Sequence, residues 1–154
     1  MESIFVKHIK DPDPVLIETL CRMEIENLGQ EAAINQWVLP VIIRYGKLFI
    51  AGNNKNDSLI GVCEVIRSYL APSTAFIHSF YIDDKFRNKG IGKMLLRKVL
   101  DGLRSDSFSK VQLTVDPDSI AASRLYRSFG FEKTGMRKDE YGKGIHRDLY
   151  SLKL

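Results

Sequence analysis

The seven residues Arg87-Asn88-Lys89-Gly90-Ile91-Gly92-Lys93 have the composition of an anion site. Glycine lets backbone N–H groups approach a ligand with no Cβ in the way. The run lies between an alternating segment, 74–83, and an amphipathic one, 90–104, so it marks the start of a helix. N–H groups at a helix start have no intrahelical partner, and the dipole behind them favours phosphate oxygens. Arg87, Asn88, Lys89 and Lys93 surround the place a pyrophosphate would take, three of them with positive charge. The spacing is not that of a Walker loop, in which four residues separate the glycines and Ser or Thr follows the lysine. The dinucleotide fingerprint needs a third glycine. Taken alone, the run could equally be a tight turn with solvated lysines.

A second run, Ser119-Ile120-Ala121-Ala122-Ser123-Arg124-Leu125-Tyr126-Arg127-Ser128-Phe129-Gly130-Phe131, follows the acid-rich turn Asp116-Pro117-Asp118. Ser119, Ala122 and Tyr126 share one face of a helix. On any amphipathic helix Tyr126 would by default be a half-buried core tyrosine.

These runs must be held by one compact domain, 1–154, since 154 residues suffice for a single core and little more. Hydrophobic residues at 44% and charged residues at 27% are ordinary for a globular protein. The longest apolar stretch, Trp37 to Ile43, is too short to span a bilayer and contains Pro40, so no membrane association is expected. Met1 to His8 lacks the basic start and long apolar run of a secretory leader. Cys21 and Cys63 have no metal-ligand spacing and read as reduced thiols, giving a cytoplasmic expectation with no metal. Residues 1–35 carry seven acids against three bases, whereas 85–110 carry eight bases against two acids. Charge clustered beside one motif points to a local anion site rather than to nucleic acid, and no nucleic-acid partner is expected.

Ser3 to Ile9 alternates as a strand, and Asp13-Pro14 supplies an N-cap with proline at the first helical position. A helix is expected over 14–28 and a second over 30–44, kinked or shortened at Pro40. Strands are expected at 47–52, 59–68, 74–83, 110–115, 131–137 and 144–153, with helices at 90–104 and 118–129. The order predicts a mixed α/β fold of the α+β type.

In this context Arg-x-x-Gly-x-Gly, after a strand and before Met94-Leu95-Leu96, resembles the acetyl-CoA motif of the GNAT acetyltransferase superfamily. The run 119–131 is a second match, with Ala122, Leu125-Tyr126 and Gly130-Phe131 in the family's places and Ser119 where Asn is more frequent. The resemblance covers about 47–137 in order. It implies a largely antiparallel sheet of about seven strands flanked by four helices and splayed at the central strands. It implies acetyl-CoA as cosubstrate and an amine acceptor, a small molecule or a peptide. Backbone groups of Phe80, Tyr81 and Ile82 would hold the pantetheine arm, and Arg87, Asn88, Lys89, Gly90, Ile91, Gly92 and Lys93 the pyrophosphate. Ser119 would contact the cofactor. Tyr126 matches the family's frequent general acid: a phenol of pKa about 10 can protonate a thiolate whose conjugate acid lies near about 8.5.

An acceptor amine must lose a proton before it attacks. His78 stands where aralkylamine acetyltransferases of the family relay one through water, and Glu64 is the carboxylate candidate. Plain readings are a satisfied sheet histidine and an outward-facing strand glutamate. No nucleophile–base pair is apparent, so direct attack in a ternary complex is the simpler mechanism. Glu18, Glu24, Glu26 and Glu31 suit a cationic amine, although as helix residues they read more simply as solvent-facing. Trp37, Tyr45 and Tyr69 could wall the acceptor site or pack the core, and His146 is a further candidate in the last strand. The family's common dimerisation would use the terminal strands. The alternative is a catalytically silent CoA-binding sensor or interaction module.

Overall fold

Asp13 ends the first strand and opens the first helix in one step. Its carboxylate accepts the Leu16 N–H at 3.0 Å, and Pro14 occupies the first turn, where a missing N–H costs nothing. In this computed structural model the described residues are 3–154. Met1 and Glu2, part of the stretch read as lacking a secretory leader, lie outside them. Strand β1 is Ile4–Ile9 and helix α1 is Pro14–Leu28, closed by Gly29 at φ +83°. Then come α2 (Leu39–Tyr45), β2 (Lys47–Asn53), β3 (Leu59–Arg67) and β4 (Thr74–Ile82). After a 3₁₀ turn at Asp84–Phe86 the chain forms α3 (Ile91–Ser105), β5 (Lys110–Val115), α4 (Ile120–Ser128), β6 (Glu132–Arg137) and β7 (Arg147–Lys153).

The seven strands are hydrogen-bonded in the order β1-β2-β3-β4-β5-β7-β6. Pairs β1–β2, β2–β3, β5–β7 and β6–β7 are antiparallel, and β4–β5 is parallel. This is the mostly antiparallel sheet with four helices that the element order predicts. The β4–β5 register runs from Thr74↔Lys110 to Ile77↔Leu113, so His78 to Ile82 continue β4 beyond it. The chain divides into two compact units. The first runs to Ile66 and resumes over Ser79–Asp101; the second comprises Arg67–His78 and Gly102–Leu154.

In the first unit α1 and α2 bury Ile17, Leu20, Met23, Leu39, Ile42 and Ile43 against Leu48, Ile50, Val62 and Tyr81 of β2, β3 and β4. Ile91 of α3 packs with Ala51 and Ile60, and Leu95 lies against Gly61, so α3 covers the opposite face of these strands. In α3 the apolar stripe widens beyond the expected Ile91, Leu95, Val99 and Leu103 to include Leu96 and Leu100, all buried. In the second unit Leu113 and Tyr150 are a cross-strand pair, and Arg127 of α4 donates to the Tyr150 hydroxyl at 3.2 Å.

The second helix departs from expectation. Residues 30–38 form turns, and α2 begins only at Leu39, with Pro40 in its first turn. A proline ring clashes with the carbonyl four residues back and donates no hydrogen bond, so a helix starts at Pro40 rather than running through it. Asn35 holds the preceding turn: its carbonyl accepts from Leu39 N–H at 3.2 Å and its side chain from Trp37 N–H at 3.0 Å.

Gly46 joins α2 to β2. A Cβ there would stand 2.4 Å from the Val65 carbonyl oxygen and 3.0 Å from that of Ile42, both backbone atoms that cannot turn aside. We therefore expect Gly46→Ala to lower the unfolding free energy by roughly 1–3 kcal/mol, as overpacking does; equilibrium urea denaturation measures it, and an unchanged midpoint would refute the close approach.

Candidate active site

The turn after β4 has the conformation an anion cradle needs. Asn88 is left-handed at φ +61° and Gly90 at φ +78°, a geometry that glycine adopts freely and asparagine tolerates. A Cβ on Gly90 would meet nothing within 4 Å, so its role is conformational rather than spatial. The first ladder bond of α3 runs from Met94 N–H to the Gly90 carbonyl at 3.1 Å. The N–H groups of Ile91, Gly92 and Lys93 therefore precede the helix's own ladder. Lys89 and Lys93 are exposed, with the Lys89 ammonium 5.2 Å from the centre of the Phe86 ring. Arg87 is tied inward: its Nε donates to the Ile82 carbonyl at 2.9 Å and its guanidinium pairs with Asp84. These residues can hold a diphosphate chiefly through backbone N–H groups and the two lysines.

The expected pantetheine residues, Phe80 to Ile82, also lie in the first unit. Tyr81 is buried, and Phe80 and Ile82 are half-buried. Alternation along β4 puts Phe76, His78, Phe80 and Ile82 on one face and Ile77, Ser79 and Tyr81 on the other. His78 is exposed.

Glu64 is not an outward-facing residue. It is 0% exposed and shares the Val62 face of β3, which α1 covers. Its neighbour is Glu24 of α1, also 0% exposed, so the solvent-facing reading of Glu24 is corrected. Glu24 continues the buried stripe Ile17-Leu20, seven and four residues on, so the helical period placed it inside. Glu18, Glu26 and Glu31 are exposed as expected. Burial, then a hydrogen bond with Glu24, then the charge of Glu24 raise the Glu64 carboxyl to a pKa of about 10. As two carboxylates both groups could only accept, and Glu24 Oε1 and both Glu64 oxygens find no donor among the described residues. One shared proton turns the opposition into a hydrogen bond. Glu24 Oε2 accepts the Ile34 N–H at 2.8 Å. Burial, followed by the charges of Glu24, Glu64 and Cys21, pushes the Tyr81 phenol well up. Burial and the same glutamates raise the Cys21 thiol; burial and Glu64 raise that of Cys63, and both thiols are free.

The second unit holds His78, Ser119, Tyr126 and His146. Ser119 occupies the N-cap position of α4 without a side-chain cap bond, while Asp116 caps the turn before it by accepting the Asp118 N–H at 2.9 Å. Tyr126 is buried and meets Phe131 edge-to-face at 5.6 Å, so it is well positioned by packing. His146 lies in the loop before β7 rather than in the strand, its Nδ1 accepting the Asp139 N–H at 3.0 Å. The core reading of Trp37, Tyr45 and Tyr69 is corrected: they are 79%, 84% and 93% exposed. No helix among the described residues is long and apolar enough to cross a membrane.

Glu64 makes stability depend on pH. A carboxyl whose pKa rises on folding stabilises the native state below its unfolded value near 4.5, and that contribution is lost as pH climbs toward about 10. Glu64→Gln removes the proton linkage, so the wild type should lose stability relative to it between pH 5 and 10, by at most on the order of 1 kcal/mol per pH unit. Parallel pH profiles in urea unfolding would show that Glu64 ionises normally in the folded state.

The Acetyltransferase (GNAT) family matches over residues 16–131. The chain is 34% identical to the N-alpha-acetyltransferase RimI of Mycobacterium tuberculosis, over 93% of this chain and 94% of that protein. Its fold matches Ard1 from Thermoplasma volcanium with a TM-score of 0.83 at 21% identity, covering 99% and 98% of the two chains. It also matches a GNAT acetyltransferase of Elizabethkingia anophelis with acetyl-CoA bound, with a TM-score of 0.75 at 18% identity over all of both chains. The chain belongs to the GNAT acetyltransferase family.

Proposed function

We propose that this single domain transfers the acetyl group of acetyl-CoA to a primary amine by direct attack within a ternary complex. The observation that carries the reading is the left-handed Asn88–Gly90 turn that opens α3, with the N–H groups of Ile91, Gly92 and Lys93 ahead of the helical ladder. Family membership and an E. anophelis relative holding acetyl-CoA support it. In this reading those N–H groups with Lys89 and Lys93 bind the pyrophosphate, and Phe80 to Ile82 offer backbone groups to the pantetheine arm. Ser119 adds a hydroxyl contact to the cofactor.

The amine nitrogen forms its bond to the thioester carbonyl carbon, the C–S bond breaks, the Tyr126 phenol gives the departing thiolate its proton, and the proton the nitrogen sheds restores the phenol. The ammonium form of the acceptor must first lose a proton. Glu64 retains its own at neutral pH in this state, so exposed His78 is the proposed relay to solvent. The RimI relative is named an N-alpha-acetyltransferase, which favours the N-terminal amine of a polypeptide as acceptor. A dimer through the terminal strands stays part of the proposal.

Acetyl-CoA should raise the melting temperature by several degrees, since saturation at 100 Kd adds about 2.7 kcal/mol. ATP and NAD should not, and Gly92→Leu should abolish the shift by obstructing the pyrophosphate. No shift with any CoA species would overturn the cofactor assignment. Tyr126→Phe should lower turnover roughly 10²–10⁴-fold while leaving the acetyl-CoA shift intact; an unaltered turnover rate across pH would remove its acid role.

A further inference from the structure

Every buried side-chain polar atom without a partner among the described residues belongs to one group of four residues: Glu24 Oε1, Glu64 Oε1 and Oε2, Ser79 Oγ and Tyr81 OH. All four side chains come from the first unit. Ser79 and Tyr81, 7% and 4% exposed, share a face of β4, and Tyr81 packs with Val62 and α1 on the side where Glu24 and Glu64 meet. Buried polar groups normally find partners; the shared proton accounts for the contact between the two glutamates, and the carboxyl oxygen left over, with the Ser79 and Tyr81 hydroxyls, needs an explanation. The four groups have room for donors from outside: the carboxyls accept, and each hydroxyl has lone pairs to offer. A primary ammonium brings three donors and one positive charge.

We propose that Glu24, Glu64, Ser79 and Tyr81 form the receptor for the protonated amine of the acceptor, and that it selects amines with no carboxylate on the adjacent carbon. The inference rests on the acetyl-transfer reading and deepens it. Tyr81 lies on the stretch of β4 whose backbone is assigned to the pantetheine arm and Ser79 directly precedes it, so one strand presents both substrates. A carboxyl pair that shares one proton carries a single negative charge, which one ammonium cancels in a site closed to water. A free amino acid would bring a second negative charge beside the first. The titratable groups facing that place are Glu24 and Cys21 from α1, Glu64 from β3 and Tyr81 from β4, and none is cationic. The receptor thus rejects free amino acids and accepts alkylamines, amino-acid amides and peptide N-termini. Because Glu24 and Glu64 are fully buried, entry requires the 29–38 connection to move. That connection reaches Glu24 through the Ile34 N–H bond.

Isopropylamine, L-alaninamide and L-alanine test this as acceptors in a thiol-release assay with acetyl-CoA. Isopropylamine is alanine with methyl in place of carboxylate. As the stronger base it has less free amine at neutral pH, so a preference for it cannot come from basicity. We expect isopropylamine and alaninamide to exceed alanine in kcat/KM by about tenfold or more. Glu24→Gln and Glu64→Gln should each raise KM for alaninamide about tenfold or more, with a smaller change in kcat and with cooperative melting and the acetyl-CoA shift retained. Equal use of alanine and alaninamide, an unchanged KM in both variants, or acetyl-CoA binding with none of the three amines acetylated would each overturn the receptor. Absence of the acetyl-CoA shift in the wild type would instead defeat the acetyl-transfer reading itself.

Discussion

Two glutamates that meet at zero exposure cannot both ionise, and much of the first unit is arranged around that constraint. Glu24 reaches the meeting from α1 and Glu64 from β3, so the proton between them ties a helix to the sheet face it covers. The surrounding residues, Ile17, Leu20, Met23 and Val62, exclude water, and that exclusion is what keeps the Glu64 proton in place. An uncharged residue of the same shape in place of either glutamate would remove the opposition between them. Retaining two carboxyls in an apolar face therefore calls for a chemical role, and the unpartnered hydroxyls of Ser79 and Tyr81 beside them indicate its kind.

The phosphate-type turn works on a different principle. Here nothing is buried; the effect comes from direction. Left-handed residues at 88 and 90 turn the chain out of β4 and into α3, so that the first N–H groups of the helix face away from their own ladder. Arg87, with its Nε on the Ile82 carbonyl and its guanidinium on Asp84, braces the turn rather than reaching outward. The fully buried Leu95, Leu96, Val99, Leu100 and Leu103 hold the helix that supplies the dipole. Function at the turn thus depends on core packing several residues away.

Local signals were legible where one residue type has one physical consequence. Asp13-Pro14 caps and opens a helix, and Pro40, expected to kink or shorten the helix over 30–44, shortens it to Leu39–Tyr45. Glu24 shows the opposite case. Its place in the Ile17-Leu20 stripe was visible, yet a charged residue reads as solvent-facing unless its partner is known, and Glu64 is forty residues away in sequence. For Trp37, Tyr45 and Tyr69 the core alternative erred in the other direction, since large aromatic area suggests burial and these three are exposed.

The sequence by itself determined the element order, the glycine turn, the tyrosine helix and with them the family, because each rests on short-range spacing that backbone geometry converts directly into structure. Only the tertiary structure decided which acids are buried together, which side of β4 each polar group takes, and that Glu64 keeps its proton. Those properties depend on the removal of water by residues distant in the chain, and desolvation has no local signature.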